Sequence, residues 1–340
     1  MKASPQRIAV MGSGSWGTTF AKVLADSDPT ADVVLWARRA EVATEISELH
    51  TNSTYLGDLP LPANITASTD PAAVLAGAEL VILAVPAQSL RQQLTEWGKA
   101  VEPGAVLVSL MKGLERGTDL RMTEVIAQVL PVDQSQLAVV SGPNLAKEIA
   151  RGEPTGSVVA GSDRDTVEWI ARACTPSYFR PYTNSDIVGV EIGGIVKNVI
   201  ALAVGICDGM GMGDNTKATI ITRGLAETTR LATALGGSAE TMAGLAGLGD
   251  LVATCSSPLS RNRTAGRLIG EGKTLEQVAQ EMTQVAEGIK SGAAVLDLAA
   301  NHGVEMPITQ AVVAVIEGKV GVSSMARMLL ERDLKSEEIH

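Results

Sequence analysis

The chain has 340 residues, of which 45% are apolar, 19% charged and 3% aromatic, and its formal net charge is −10. It exceeds the roughly 250–300 residues at which a single core stops growing, so two folded domains are expected and disorder is excluded by composition. The acidic balance leaves no basic field for nucleic acid, and no basic amphipathic stretch or long like-charge run points to a membrane surface.

The N-terminal sequence MKASPQRIAVMGSG enters a strand almost at once, which leaves no room for a signal peptide. Runs at 7–11 (RIAVM), 33–36 (VVLW), 80–85 (LVILAV), 106–110 (VLVSL) and 137–142 (LAVVSG) predict buried strands. Their apolar residues run on rather than alternate, as in parallel strands covered on both faces. Helical patterns at 17–26, 40–49, 87–98 and 119–129 lie between them. That alternation predicts a doubly wound parallel sheet. Two more strands, SVVA (157–160) and FRPYT (179–183), flank a helix at 163–173.

After about residue 185 the strand patterns stop, and helices are predicted at 214–235, 261–270, 274–281, 288–302 and 307–317. The expected division is a dinucleotide-binding α/β domain over 1–188 and a helical substrate and catalytic domain over 189–340. No internal repeat or low-complexity segment is evident.

The hexapeptide GSGSWG (12–17) fits G-x-G-x-x-G between the first strand and the first helix. Gly12 suits the tight turn, Gly14 the close approach of backbone to a pyrophosphate, and Gly17 the packing of helix on strand. The helix amides then face the anion. With 34 glycines in the chain the pattern alone is weak, and its position is what gives it meaning. At the end of the second strand, where an acid would hold the ribose of NAD, the sequence reads LWARRAE. Arg38 and Arg39 there suit a 2′-phosphate, so NADPH is the preferred cofactor expected, with NADH the alternative.

Cys174, Cys207 and Cys255 form no CxxC pair or metal spacing, and read as free thiols in a reducing cytoplasm. No metal is expected.

Residues 190–209, VEIGGIVKNVIALAVGICDG, pose the central question. Between Glu191 and Asp208 the only charge is Lys197. The apolar core of about 16 residues, interrupted by Lys197 and Asn198, falls short of the roughly 20 that a membrane span needs. On a helix, Gly193, Gly194 and Ala201 share the face of Lys197, leaving room for a ligand or another backbone. Carbonyl reduction needs a proton donor and acceptor. His50, His302 and His340 are poorly placed for it, which leaves Lys197 as the strongest candidate. A lysine snorkelling at a helix rim remains the other reading of this segment.

Further stretches add candidates. Lys112 follows a strand in SLMKGLE, at the carboxyl edge where open α/β sheets bind ligands. Gly142 follows the next strand in SGPNLAKE. Asp250 lies in the uncharged stretch LAGLGDLVATC. In SPLSRNR, Ser260 is a plausible helix N-cap with Arg261 and Asn262 in the first turn. An arginine there opposes the helix dipole, an arrangement suited to an anion.

With these stretches, GSGSWGTTFA, LWAR, AVPAQ, SLMKGLE, SGPNLAKEIA, GVEIGGIVKNVIALAVGICDGMGMGDNTKA, GLGDLVATC and SRNR, the sequence resembles the bacterial NAD(P)-dependent sn-glycerol-3-phosphate dehydrogenases over nearly its whole length. The resemblance implies a Rossmann-like sheet followed by an all-helical domain of the 6-phosphogluconate-dehydrogenase C-terminal type. It also implies reduction of dihydroxyacetone phosphate to sn-glycerol 3-phosphate, for glycerophospholipid synthesis. By the family motifs Lys197 is the general acid/base and Asp250 its carboxylate partner. Lys112, Gly142, Ser260, Arg261 and Asn262 match substrate-contacting positions, with Arg261 the phosphate holder. Ser15, Trp16, Arg38, Lys112, Ala146, Arg261, Val285 and Glu287 match cofactor-contacting positions, with Arg39 beside them. Where the family usually has Ser or Thr followed by an aromatic residue, this chain has Asn144 and Leu145, so an amide that can donate and accept replaces a hydroxyl.

The rival readings are a hydroxy-acid or sugar-acid dehydrogenase with a helical second domain, and a dinucleotide-binding sensor without turnover. The sensor has little use for Lys197, Asp250 and Arg261 together. A cytoplasmic enzyme without a membrane span is expected, and a homodimer through the helical domain is compatible with the sequence.

Overall fold

The computed structural model describes residues 3–282 and 286–325. The chain divides into two units, one of Met1–Glu115 and Leu120–Ile187, the other of Arg116–Asp119 and Val188–His340.

The first unit is built on strands β1 (Arg7–Met11), β2 (Asp32–Trp36), β3 (Ile65–Ser68), β4 (Leu80–Leu83), β5 (Val106–Ser109), β6 (Leu137–Ser141), β7 (Thr155–Gly161) and β8 (Phe179–Asn184). They form one sheet in the order β3-β2-β1-β4-β5-β6-β7-β8. Its helices are α1 (Ser15–Ser27), α2 (Ala40–Thr44), α3 (Ser53–Leu56), α4 (Pro71–Leu75), α5 (Leu90–Trp97), α6 (Met122–Val129), α7 (Ala146–Ala150) and α8 (Arg164–Ala173).

Both faces of the sheet are buried. Ile8, Val10, Val33 and Leu35 pack on one side, while Ala9, Met11, Val81 and Leu83 pack on the other. This two-sided burial is why these strands read as unbroken apolar runs. The strand order reverses beside β1, so its carboxyl end, with the glycine turn, lies at the switch point where such sheets bind ligands.

The sheet departs from a wholly parallel one. β6 and β7 pair antiparallel, with Val139 opposite Ala160, and β7 then pairs parallel with β8. The link from β6 to β7 holds only the five-residue α7. The pattern over 40–49 also divides, α2 ending at Thr44 before a π-turn over Glu45–Leu49 that His50 closes with a left-handed φ of 50°.

Among the described residues the second unit is helical: α9 (Ile187–Gly209), α10 (Asp214–Ala234), α11 (Ala239–Ala243), α12 (Asp250–Ser256), α13 (Arg261–Gly270), α14 (Leu275–Glu281), α15 (Glu287–Asn301) and α16 (Pro307–Ile316). At 23 residues, α9 is longer than its apolar run suggests and meets the length and composition of a membrane span. Its most apolar stretch is 89% buried inside the protein, so α9 is the central core helix of this unit.

α10 carries a second buried charge. The Glu227 carboxylate, fully buried, accepts from the amides of Ile308 (2.9 Å) and Thr309 (3.0 Å) and from the Thr309 hydroxyl (2.7 Å), capping the start of α16. Burial raises its pKa above the ordinary value of 4.5 in spite of those bonds. The folded state therefore binds this proton more tightly than the unfolded chain, and the resulting stability is lost as pH climbs through the raised value. Glu227→Ala strands two buried amides, and its expected cost in urea unfolding is about 3 kcal/mol.

Candidate active site

In the second unit the site begins with a glycine. A Cβ on Gly193 would stand 2.6 Å from the carbonyl oxygen of Ala246, so only glycine lets the π-turn Leu245–Gly249 lie against α9. Continuing from that turn, α12 brings Asp250 to Lys197, one helical turn beyond Gly193.

Lys197 is 8% exposed and Asp250 1%. Lys197 Nζ donates to Asp250 Oδ1 and, at 2.8 Å, to Thr254 Oγ1. The Thr254 hydroxyl is within 3.3 Å of the same carboxylate oxygen. An ammonium buried in an apolar helix is costly unless paired and hydrogen-bonded, and both conditions hold here. The structure thus removes the snorkelling reading, since the charged end is inside. Thr254 escaped sequence reasoning; its signal is the i, i+4 spacing from Asp250 on one helix face.

α13 approaches α9 backbone to backbone. A Cβ on Gly266 would sit 2.2 Å from the Leu202 carbonyl, and one on Gly205 2.1 Å from the Arg263 carbonyl. This seam fixes the start of α13, where Ser260 caps the helix by accepting from the Arg263 amide at 3.2 Å. Arg261 is exposed in the first turn. Asn262 is buried and bridges three helices: Nδ2 donates to Asn198 Oδ1 and Oδ1 accepts from the Gly288 amide, each at 2.9 Å. Asn198, next to Lys197, is a second residue that the sequence did not bring forward. Glu287 opens α15, half-buried, while Val285 lies outside the described residues.

Cys255 follows Thr254 in the chain, and burial pushes its thiol up to about 12, with Lys197 opposing the shift. It is a neutral thiol at physiological pH and no nucleophile. Cys174 and Cys207 are likewise held up, to about 12 and about 11.

In the first unit the glycine turn has a distinct task for each glycine. Gly12 has a φ of +133°, and a Cβ there would stand 2.5 Å from the Ala84 carbonyl. One on Gly17 would stand 2.1 Å from the Gly12 carbonyl, while one on Gly14 meets nothing within 4 Å. Gly12 and Gly17 are locked by packing, and Gly14 faces open space. No side chain caps α1, which begins at Ser15. Trp16 packs on Phe20 with ring centroids 5.5 Å apart, and its Nε1 is buried without a partner. Thr19 Oγ1 donates to the Ala146 carbonyl at 3.2 Å, tying α7 to α1. Arg38 and Arg39 are both exposed beyond the end of β2.

At the ends of β5 and β6, Lys112 Nζ donates to the Gly142 carbonyl at 3.1 Å. Both amide atoms of Asn144 are buried without a hydrogen-bond partner. A buried amide left unpaired costs free energy that a bound polar ligand can recover. Within the first unit the structure therefore joins Lys112 to Gly142, and α1 to Ala146. Within the second it joins Lys197 to Asp250 and Asn262 to the start of α15. Among the described residues no group of three or more His, Cys, Asp or Glu could hold a metal ion.

The family model for the NAD-dependent glycerol-3-phosphate dehydrogenase N-terminus matches residues 7–167, and that for the C-terminus residues 186–327. A Thermobifida fusca protein named glycerol-3-phosphate dehydrogenase (NAD(P)+) is 55% identical over 331 residues, covering 97% of this chain and 98% of its own. One of the same name from Streptomyces griseus is 56% identical over 334 residues, covering 98% of each chain. A crystal structure of glycerol-3-phosphate dehydrogenase from Coxiella burnetii superposes with a TM-score of 0.91 at 36% identity, covering 96% of this chain and 99% of its own.

Proposed function

Since the chain belongs to the NAD-dependent glycerol-3-phosphate dehydrogenase family, we propose that it reduces dihydroxyacetone phosphate to sn-glycerol 3-phosphate with Lys197 as the proton donor. It is an NAD(P)-dependent oxidoreductase. The observation that carries the residue assignment is the buried triad of Lys197, Asp250 and Thr254, which keeps an ammonium at a fixed point inside an apolar unit.

Bound NAD(P)H supplies the hydride that goes to the C2 carbonyl carbon. Lys197 Nζ gives its proton to the C2 oxygen as negative charge develops there, and takes a replacement from solvent. Asp250 and Thr254 hold the lysine in place and compensate the burial of its charge. In the reverse direction Lys197 accepts the hydroxyl proton. The sum is one ketone, one NAD(P)H and one proton giving one secondary alcohol and NAD(P)+.

Arg261, in the uncapped-by-acid first turn of α13, holds the substrate phosphate together with Ser260 and Asn262. Lys112, Gly142 and Asn144 contact the remainder of the substrate, and the two unpartnered amide atoms of Asn144 favour this. The cofactor fits the glycine turn: Gly14 leaves space for a pyrophosphate, no side chain caps the helix start at Ser15 and Trp16, where an anion would bind, and the Trp16 indole N–H lacks a partner. Ala146 and Glu287 complete the cofactor contacts among the described residues.

Exposed Arg38 and Arg39, with no acid between β2 and Glu41, favour NADPH over NADH. The product serves glycerophospholipid synthesis in the cytoplasm, by a homodimer formed through the helical unit. Arg261→Ala is expected to raise KM for dihydroxyacetone phosphate by roughly 10–100-fold, the worth of a lost charge-assisted contact. Steady-state kinetics at saturating NADPH measure this, and an unchanged KM would remove Arg261 from the phosphate site.

A further inference from the structure

Asn52 lies 39 residues from Ser13 in the chain, yet it is fully buried and its Nδ2 donates to the Ser13 carbonyl at 3.0 Å and to the Thr18 hydroxyl at 2.9 Å. One acceptor lies in the glycine turn, Ser13 standing between Gly12 and Gly14, and the other, Thr18, in the first turn of α1. The segment bearing Asn52 is itself tied down. Glu45 Oε1 accepts from the Thr51 hydroxyl at 3.0 Å and from the Ser53 amide at 2.6 Å. The His50 carbonyl accepts from Leu61 N at 2.8 Å, and the Asn52 carbonyl from Leu56 N at 2.9 Å.

A turn that binds an anion must present its N–H groups and keep its carbonyl oxygens away from the negative charge. The Gly14 carbonyl is taken up by α1, accepting from Thr18 N at 2.9 Å. The Ser13 carbonyl sits one residue before the N-cap, Gly14, and has no place in the helix ladder; the Asn52 amide takes it instead. A primary amide has two hydrogens on one nitrogen and can serve both acceptors at once, which neither a carboxylate nor a hydroxyl can do. We propose that Asn52 is a positioning residue for the dinucleotide: it draws the Ser13 carbonyl into the protein and so aims the amides of the turn at the pyrophosphate. This rests on the reading of the turn as the NAD(P)H site.

The test compares wild type with Asn52→Leu and Asn52→Asp. The readouts are NADPH affinity without substrate by titration calorimetry, KM for dihydroxyacetone phosphate at saturating NADPH, and the Tm of the cofactor-free protein. Asn52→Leu is expected to weaken NADPH binding about tenfold or more, the worth of the lost hydrogen bonds. KM for dihydroxyacetone phosphate stays as in wild type. Asn52→Asp keeps the side-chain size, loses at least as much cofactor affinity, and carries the test alone if the leucine variant does not fold. Unchanged NADPH affinity in a folded variant, even with a lowered Tm, overturns the proposal and leaves Asn52 a packing residue. Equal losses for cofactor and ketone would overturn it as well, since the effect would not be local to the turn. Failure of wild type to bind NADPH would instead refute the reading of the turn.

Discussion

Lys197→Ala lowers kcat by about 10²–10⁴-fold, the range that a positioned general acid contributes, while NADPH affinity stays as in wild type. The lysine stands on α9 in the helical unit, and its ammonium bonds to Asp250 and Thr254 within that unit. Removing it empties a polar point in the apolar core of the helical unit, whereas the glycine turn belongs to the other unit. Turnover near the wild-type rate would assign the proton to another group. Lys197→Ala also removes the cation paired with the buried Asp250 carboxylate, which typically costs about 3–5 kcal/mol, so thermal unfolding accompanies the kinetics.

Asp250→Ala breaks the same buried pair from the other side. It takes the Asp250 carboxylate away from the buried Lys197. Breaking a buried ion pair from one side typically costs about 3–5 kcal/mol because the surviving charge is uncompensated. The double variant Lys197→Met, Asp250→Ala removes both charges, and its stability should exceed that of Asp250→Ala alone. Urea unfolding of wild type, Lys197→Met, Asp250→Ala and the double variant measures the coupling directly. If the double variant is less stable than Asp250→Ala, the pair is not the coupled unit described here. Both variants lose turnover, the single one because the lysine loses the group that holds it.

Most of the first unit is legible in the sequence for one reason: its central strands are buried on both faces and contain little but apolar residues. β3 was not predicted because it is a four-residue edge strand, ITAS, with Ile65 its one fully buried side chain. The antiparallel β7 reads like its parallel neighbours, since burial and not direction sets composition. In the second unit Lys197 stands out as a charge inside an apolar run, and Asp250 as an acid among glycines. Thr254, Asn198 and Asn52 do not stand out, because a threonine or an asparagine fits helices, caps and loops equally well. What gives each its task is a partner 57, 64 or 39 positions away. Asn262 shows the same limit from the other side: its motif suggested a substrate contact, and the structure adds a bridge among three helices.

The most direct measurement is the loss of NADPH absorbance on adding dihydroxyacetone phosphate, with unphosphorylated dihydroxyacetone as the control. The account predicts rapid oxidation with the phosphorylated ketone and little with the other. Equal rates with both, or no oxidation by folded protein that binds NADPH, would contradict it.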